Sequence, residues 1–152
     1  MSSEIITFLL SMTPINELRG TIPISISLYN LKPLLAFFIA VLGNMMPVFF
    51  LVWFWKKGAR FLMKRSKFFY KLFDWLFKRT RKRFYKKYTI YGDLLLILIV
   101  AIPLPFTGAW TGTLVSYIFG TPYWKSIYLI AIGVIIAGIV VTLATLGVIS
   151  FI

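Results

Sequence analysis

The chain contains no cysteine and no histidine, and only four of its 152 residues are acidic. Without a thiol or an imidazole there is no disulfide, no zinc or haem ligation, no cysteine nucleophile and no histidine general base. Chemistry that passes through a phospho-histidine is excluded with them. Four scattered carboxylates are too few for a two-metal site. No metal and no cofactor is therefore expected, and the chain reads as a non-enzyme. Charge is scarce too: charged residues make up 14%, against about a quarter in a soluble domain. The opening MSSEIITFLLSM also lacks a basic region ahead of its short apolar run, so it does not read as a cleaved signal peptide.

What is abundant is apolar surface. Hydrophobic residues account for 60% of the chain and aromatics for 18%, with a mean hydropathy of +0.88, which points to an integral membrane protein. The net charge of +13 is confined to one stretch: 14 of the 17 cations lie between Lys56 and Lys87, with Asp74 as the one acid among them. Elsewhere Arg19, Lys32 and Lys125 balance Glu4, Glu17 and Asp93.

Two segments read as membrane spans, residues 34–55 and 123–152. The first reaches roughly 33 Å at 1.5 Å per residue, enough for a bilayer core. Trp53, Trp55 and Lys56 end it, and Tyr123, Trp124 and Lys125 begin the other; both sets have the aromatic-plus-cation character of a membrane interface. The positive-inside rule puts residues 56–89 in the cytoplasm. Two further apolar regions, 5–31 and 94–119, are interrupted at their centres by Pro14, Gly20 and Pro23 in one and by Pro103, Pro105, Gly108 and Gly112 in the other. Each flank is about half a membrane long, so each region reads as a re-entrant hairpin, the alternative being a kinked helix that spans fully. Shifting the chain by 89 residues lays 1–63 on 90–152 without a gap, with Glu4 on Asp93, Pro14 on Pro103 and Pro33 on Pro122. The expected fold is thus an all-α membrane protein, a single domain built as an inverted repeat of re-entrant hairpin plus transmembrane helix. With one crossing per half, both termini lie outside. So thin a scaffold is expected to work as a homodimer or higher homo-oligomer.

At 100° per residue Lys57, Arg60, Lys64, Lys67, Lys71 and Lys78 fall within an arc of about 80°, opposite Phe61, Phe68, Leu72, Phe73 and Trp75. Residues 57–88 are therefore expected to join the halves as a basic amphipathic helix in contact with anionic lipid, with a break at Arg79–Arg83. Nucleic acid is not an expected partner, because a loop between membrane hairpins meets lipid headgroups first.

Ionisable side chains at membrane depth mark function by default, and two stand at the first tip. Glu17 and Arg19 lie in PINELRG with Asn16 and Gly20 beside them. The second tip supplies Thr107, Gly108, Trp110, Thr111 and Gly112, together with Thr113. Free N–H groups at restarting half-helices favour anions, so the two tips together are expected to hold a phosphate-like headgroup, with Glu17 also a proton site. Glu4 and Asp93 read as caps of their half-helices or as proton carriers.

The segments TPINELRGTIP and PLPFTGAWTG resemble the small multi-drug export protein family of prokaryotic membranes, and the similarity extends over nearly the whole chain. That family in turn resembles the DedA/VTT superfamily, whose fold pairs two inverted re-entrant hairpins with transmembrane helices. The resemblance implies a prokaryotic plasma-membrane location and transport or scrambling of lipids, polyprenyl-phosphate carriers among them. It also implies that the acid and arginine at the tips, here Glu17 and Arg19, are functional. The uncharged second tip departs from that pattern and argues against a symmetric two-arginine clamp. The expected function is transport or scrambling of a phosphate-bearing amphiphile. The alternatives are a cation or drug exporter of four full spans with Glu17 as exchanging carboxylate, and a membrane-shaping protein acting through its amphipathic helix.

Overall fold

The computed structural model describes residues 2–102 and 107–151, and its secondary structure there is entirely helical. Pro103 and Pro105 lie outside the described residues. In order the helices are α1 (Ser3–Ser11), α2 (Glu17–Ser27), α3 (Pro33–Trp53), α4 (Ala59–Arg65), α5 (Lys67–Tyr91), α6 (Leu94–Ala101), α7 (Ala109–Ile118) and α8 (Tyr123–Phe151). A π-helical turn over Phe54–Gly58 joins α3 to α4 without interruption, so one continuous helix runs from Pro33 to Arg65. It starts with proline at its first position, where the missing N–H costs nothing. This helix and α8 are each long and apolar enough to cross a membrane.

α3 and α8 are antiparallel. The Tyr123 hydroxyl donates to the carbonyl of Phe49 at 3.1 Å, whereas further along α8 Gly138 lies against the Phe37 ring. The main core lies along this pair, with Ala40, Val48 and Val52 facing Ile130, Val134 and Val141. Leu34, Phe38, Leu42, Ile139 and Leu143 face outward, an apolar surface suited to lipid rather than water. The two sets of interfacial aromatics fall at one end, where the Lys56 ammonium sits over the Tyr123 ring at 6.0 Å.

α1 and α2 fold back on each other. The hydroxyls of Thr7 and Ser25 share a buried hydrogen bond of 2.8 Å, although a straight helix would hold residues 18 apart about 27 Å from each other. α6 and α7 do likewise, with the Gly108 N–H donating to the Ile99 carbonyl at 3.2 Å. The first hairpin packs on mid-α3, where a Cβ at Gly43 would overlap Ser11 Oγ and the Phe8 carbonyl. The second packs on α8, where a Cβ at Gly133 would lie 2.6 Å from Val100 Cβ and 3.0 Å from the Ile97 carbonyl. α2 runs alongside the later part of α8, with Arg19, Pro23 and Ser27 beside Val140, Thr145 and Val148. Asp93, at the head of α6, pairs with Lys125 at the head of α8 at 2.5 Å. The hairpins thus open toward opposite ends of the α3/α8 pair, and their tips meet between those ends.

Three expectations are corrected here. Gly20, Pro23 and Gly112 do not break the hairpins: all lie inside helices, and the breaks fall at 12–16 and before Ala109. Gly112 instead permits close packing, since a Cβ there would lie 2.7 Å from Val100 Cγ2. The basic segment is not one helix broken at Arg79–Arg83. It breaks at Ser66, whose backbone is extended (φ −135°, ψ 131°), and α5 continues unbroken through Arg79–Arg83. The turn at Ser66 sends α5 back along the chain, so that Phe73 and Phe77 meet the Trp55 ring edge-to-face at 5.8 Å each. Phe77 then packs on Tyr117 at 5.1 Å and Tyr88 stacks on Phe119 at 4.2 Å. Part of the aromatic face is therefore protein-facing, with Phe73 and Phe84 buried, while Phe61, Phe68, Leu72 and Trp75 remain exposed. Lys57, Arg60, Lys64, Lys67, Lys71 and Lys78 are all exposed, but they are divided between the two sides of the Ser66 turn.

Candidate functional site

The site is built where the first tip meets the second. α1 ends after Ser11, ahead of Pro14, and the Thr13 hydroxyl closes the turn by donating to the Leu10 carbonyl at 2.7 Å. The Asn16 N–H donates to Thr13 Oγ1 at 3.4 Å and the Glu17 N–H to the Thr13 carbonyl at 3.1 Å. Glu17 opens α2 with a positive φ of 42°, a left-handed conformation that costs a non-glycine residue about 1–2 kcal/mol. This twist directs a side chain that is 4% exposed across to the other hairpin.

There the Glu17 carboxylate accepts hydrogen bonds from the backbone N–H groups of Ala109 and Trp110, the first two residues of α7. It caps that helix from 92 residues away in sequence, supplying the negative charge that a helix N-terminus favours. Charge-assisted bonds of this kind are about twice as strong as neutral ones and offset the backbone strain. Gly108, at φ 117°, is the N-cap residue, and a Cβ on it would overlap Glu17 Oε2. Arg19 acts electrostatically on the same carboxylate.

Beside this contact lies a cleft of about 390 Å³ lined by Pro14, Ile15, Glu17, Arg19, Thr107, Trp110 and Thr111. The Trp110 indole N–H is buried with no hydrogen-bond partner, a donor available beside the cleft. Thr107 Oγ1 donates to the Ile102 carbonyl at 3.1 Å. On its other side Arg19 heads a second, apolar groove of about 420 Å³ between α2 and α8, bordered by Pro23, Ser27, Val141, Ala144 and Val148. A single guanidinium thus stands between a polar cleft and an oily one.

Residues 17–140 match the family described as Putative small multi-drug export protein. The chain belongs to this family. No curated protein and no solved structure matches it significantly. The chain is accordingly a membrane protein of the export class, and the matched stretch opens at Glu17 itself and takes in the second tip.

In this export-family chain Glu17, Arg19, Thr107, Gly108, Trp110 and Thr111 come together as the sequence predicts. Others do not. Asn16 turns back over Gly20, where a Cβ would lie 3.0 Å from Asn16 Oδ1. Thr113 is occupied structurally, accepting from Trp55 Nε1 at 3.2 Å and donating to the Trp110 carbonyl at 2.7 Å. The cap of α1 is Ser2, which accepts from the Ile5 N–H, and exposed Glu4 merely lies in its first turn. Asp93 occupies the cap position of α6, but its carboxylate makes no capping bond and goes to Lys125 instead. Asn44 is buried mid-α3 with Oδ1 unpartnered. Among the described residues there is no cluster of acids that could hold a metal.

The free half-helix N-terminus expected to bind a headgroup at the second tip is therefore occupied by the protein's own carboxylate. Arg19 and Trp110, whose indole N–H is unpartnered, remain among the residues that line the cleft. Backbone N–H groups carry no residue identity, so nothing in the sequence marked Ala109 and Trp110 as the partners of Glu17.

Proposed function

We propose that this family member moves an amphiphile with an anionic, phosphate-bearing head across the membrane, through hairpins that enter the bilayer from opposite faces and meet near its middle. The observation that carries the reading is Arg19, shared by the tip cleft and the apolar groove. The guanidinium binds the head, and the groove beside α8 receives the first part of the tail over about 12 Å, the length of helix from Arg19 to Ser27. Glu17 is the gate. While ionised it bonds the two tips together; on protonation it loses the charge that caps α7, and the tips can part. Transport then couples to protons through one carboxylate.

An inverted repeat is the matching architecture. It is supported by the helix starts Ser3, Glu17 and Pro33, which a shift of 89 residues brings within three residues of Leu94, Ala109 and Tyr123. The same shift carries Phe8 and Ser11, which pack on Gly43, onto Ile97 and Val100, which pack on Gly133.

The test is flux in proteoliposomes. Wild-type protein should move a fluorescent phosphate-headed lipid between leaflets, Arg19→Ala should abolish the movement, and Glu17→Gln should remove its response to pH. Movement at the wild-type rate by Arg19→Ala would overturn the reading. The family description favours a second one, export of a cationic drug with Glu17 as the exchanging carboxylate. In that case Glu17→Gln stops efflux of a cationic dye and Arg19→Ala leaves it intact.

A further inference from the structure

A further cleft lies beside the second tip, between α5 and α7. It measures about 520 Å³ and is lined by Trp75, Arg79, Thr80, Arg83, Phe84 and Thr111, among others. Its two arginines belong to the stretch whose sequence pattern predicts a break, yet α5 is helical there. Spaced four apart, they stand on one face of the helix.

Both guanidinium groups are held on aromatic rings. Arg79 lies over Trp75 with 5.1 Å to the ring centroid, and Arg83 lies over Phe84 at 4.8 Å. Stacking of this kind orients the planar donor fork without consuming its hydrogen bonds. Neither arginine has a carboxylate among the described residues. Asp74, the one acid of α5, pairs with Lys78 at 2.9 Å, and Asp93 pairs with Lys125. The hydroxyl-bearing Thr80 and Thr111 and the apolar Leu76 and Leu114 complete the walls. Two oriented, uncompensated guanidinium groups in a cleft with oily sides suit a phosphate head carrying an apolar chain.

We propose that Arg79 and Arg83, with Thr80 and Thr111, form a second binding site, for a phosphate-monoester amphiphile, on the side of the protein that bears the basic segment. Thr111 borders this cleft and also the tip cleft, so the site adjoins the one at Arg19 and serves as its vestibule. The vestibule role rests on the proposed transport function; binding at the arginines does not, and it is read without any transport.

The experiment measures binding of short-chain phosphatidic acid, and separately of inorganic phosphate, to the full chain in neutral detergent by native mass spectrometry. Arg79→Gln/Arg83→Gln should weaken phosphatidic acid binding by about tenfold or more, as loss of charge-assisted hydrogen bonds requires. Arg81→Gln/Lys82→Gln removes the same charge from the same helix, at exposed residues that do not line the cleft, and should leave binding within about twofold. Equal losses in the two double variants would overturn the proposal in favour of diffuse attraction to a basic helix. Inorganic phosphate binding as tightly as the lipid would overturn the assignment to an amphiphile and identify a site for the free anion. Arg79→Lys/Arg83→Lys, which keeps the charge but loses the fork, should fall between wild type and the glutamine pair; full binding by it would also count against the site. Proteoliposome flux that persists while this binding is lost would leave the transport reading standing and dispose of the vestibule.

Discussion

Glu17 and Gly108 touch across the two hairpin tips, and no side chain at position 108 could share the space taken by the Glu17 carboxylate. The contact joins an acid with a strained backbone (φ 42°) to a glycine at φ 117°, so each tip holds the other in a conformation it would not keep alone. Gly108→Ala should lower stability by about 3 kcal/mol, from the overlap together with the positive φ. In a Glu17→Ala background the same change should cost only the backbone share, about 1–2 kcal/mol. A double-mutant cycle on thermal unfolding in detergent measures the difference. Additive costs would mean that the two residues do not meet.

That contact also marks how far the sequence could be read. Unbroken hydropathy locates α3 and α8, and Pro14 and Gly108 fall at the two interruptions, because both signals are local. Glu17 and Arg19 stand out for the same reason: they are the charges inside an otherwise apolar stretch. What Glu17 binds is not local, since its partners are backbone N–H groups of a distant helix. The turn at Ser66 escaped because serine is neither proline nor glycine, and the spacing of the basic residues runs smoothly across it. Helix through Arg79–Arg83 escaped for the opposite reason. A run of charge reads as solvated loop, yet buried Thr80 and Phe84 and the stacked arginines anchor that turn, and tertiary contacts override local preference. Pro23 misled because a proline that removes one rung of a helix need not end it when the flanking turns are packed against neighbours.

Two glycines of α8 differ sharply in what a methyl group would meet. At Gly133 it would lie 2.6 Å from Val100 and 3.0 Å from the Ile97 carbonyl, whereas at Gly147 nothing lies within 4 Å. Gly133→Ala should therefore force α6 away from α8 and destabilise by about 1–3 kcal/mol. Gly147→Ala should be neutral or stabilise by up to about 1 kcal/mol, by reducing the freedom of the unfolded chain and favouring helix. Melting temperatures of the purified variants in one detergent provide the comparison. A large loss at Gly147 would mean that this end of α8 is covered by something, such as a second copy of the chain.

The orientation of the chain follows from the number of crossings. If each hairpin leaves the membrane on the side it entered, only the helices carrying α3 and α8 cross, and Ser2 and Ser150 lie on the outside. Four full spans would instead put both on the inside, with the basic segment cytoplasmic in either case. Because the chain has no cysteine of its own, Ser2→Cys, Ser150→Cys and Lys82→Cys each present one thiol against no background, at positions that are all exposed. A membrane-impermeant maleimide added to intact cells should label the first two variants, and should label Lys82→Cys only after permeabilisation. Labelling of Ser2→Cys and Ser150→Cys only in permeabilised cells would sink the re-entrant reading. The tip cleft would then lose the opposed entry of its two hairpins, and Glu17 as the exchanging carboxylate of a four-span exporter would become the better account of the same residue.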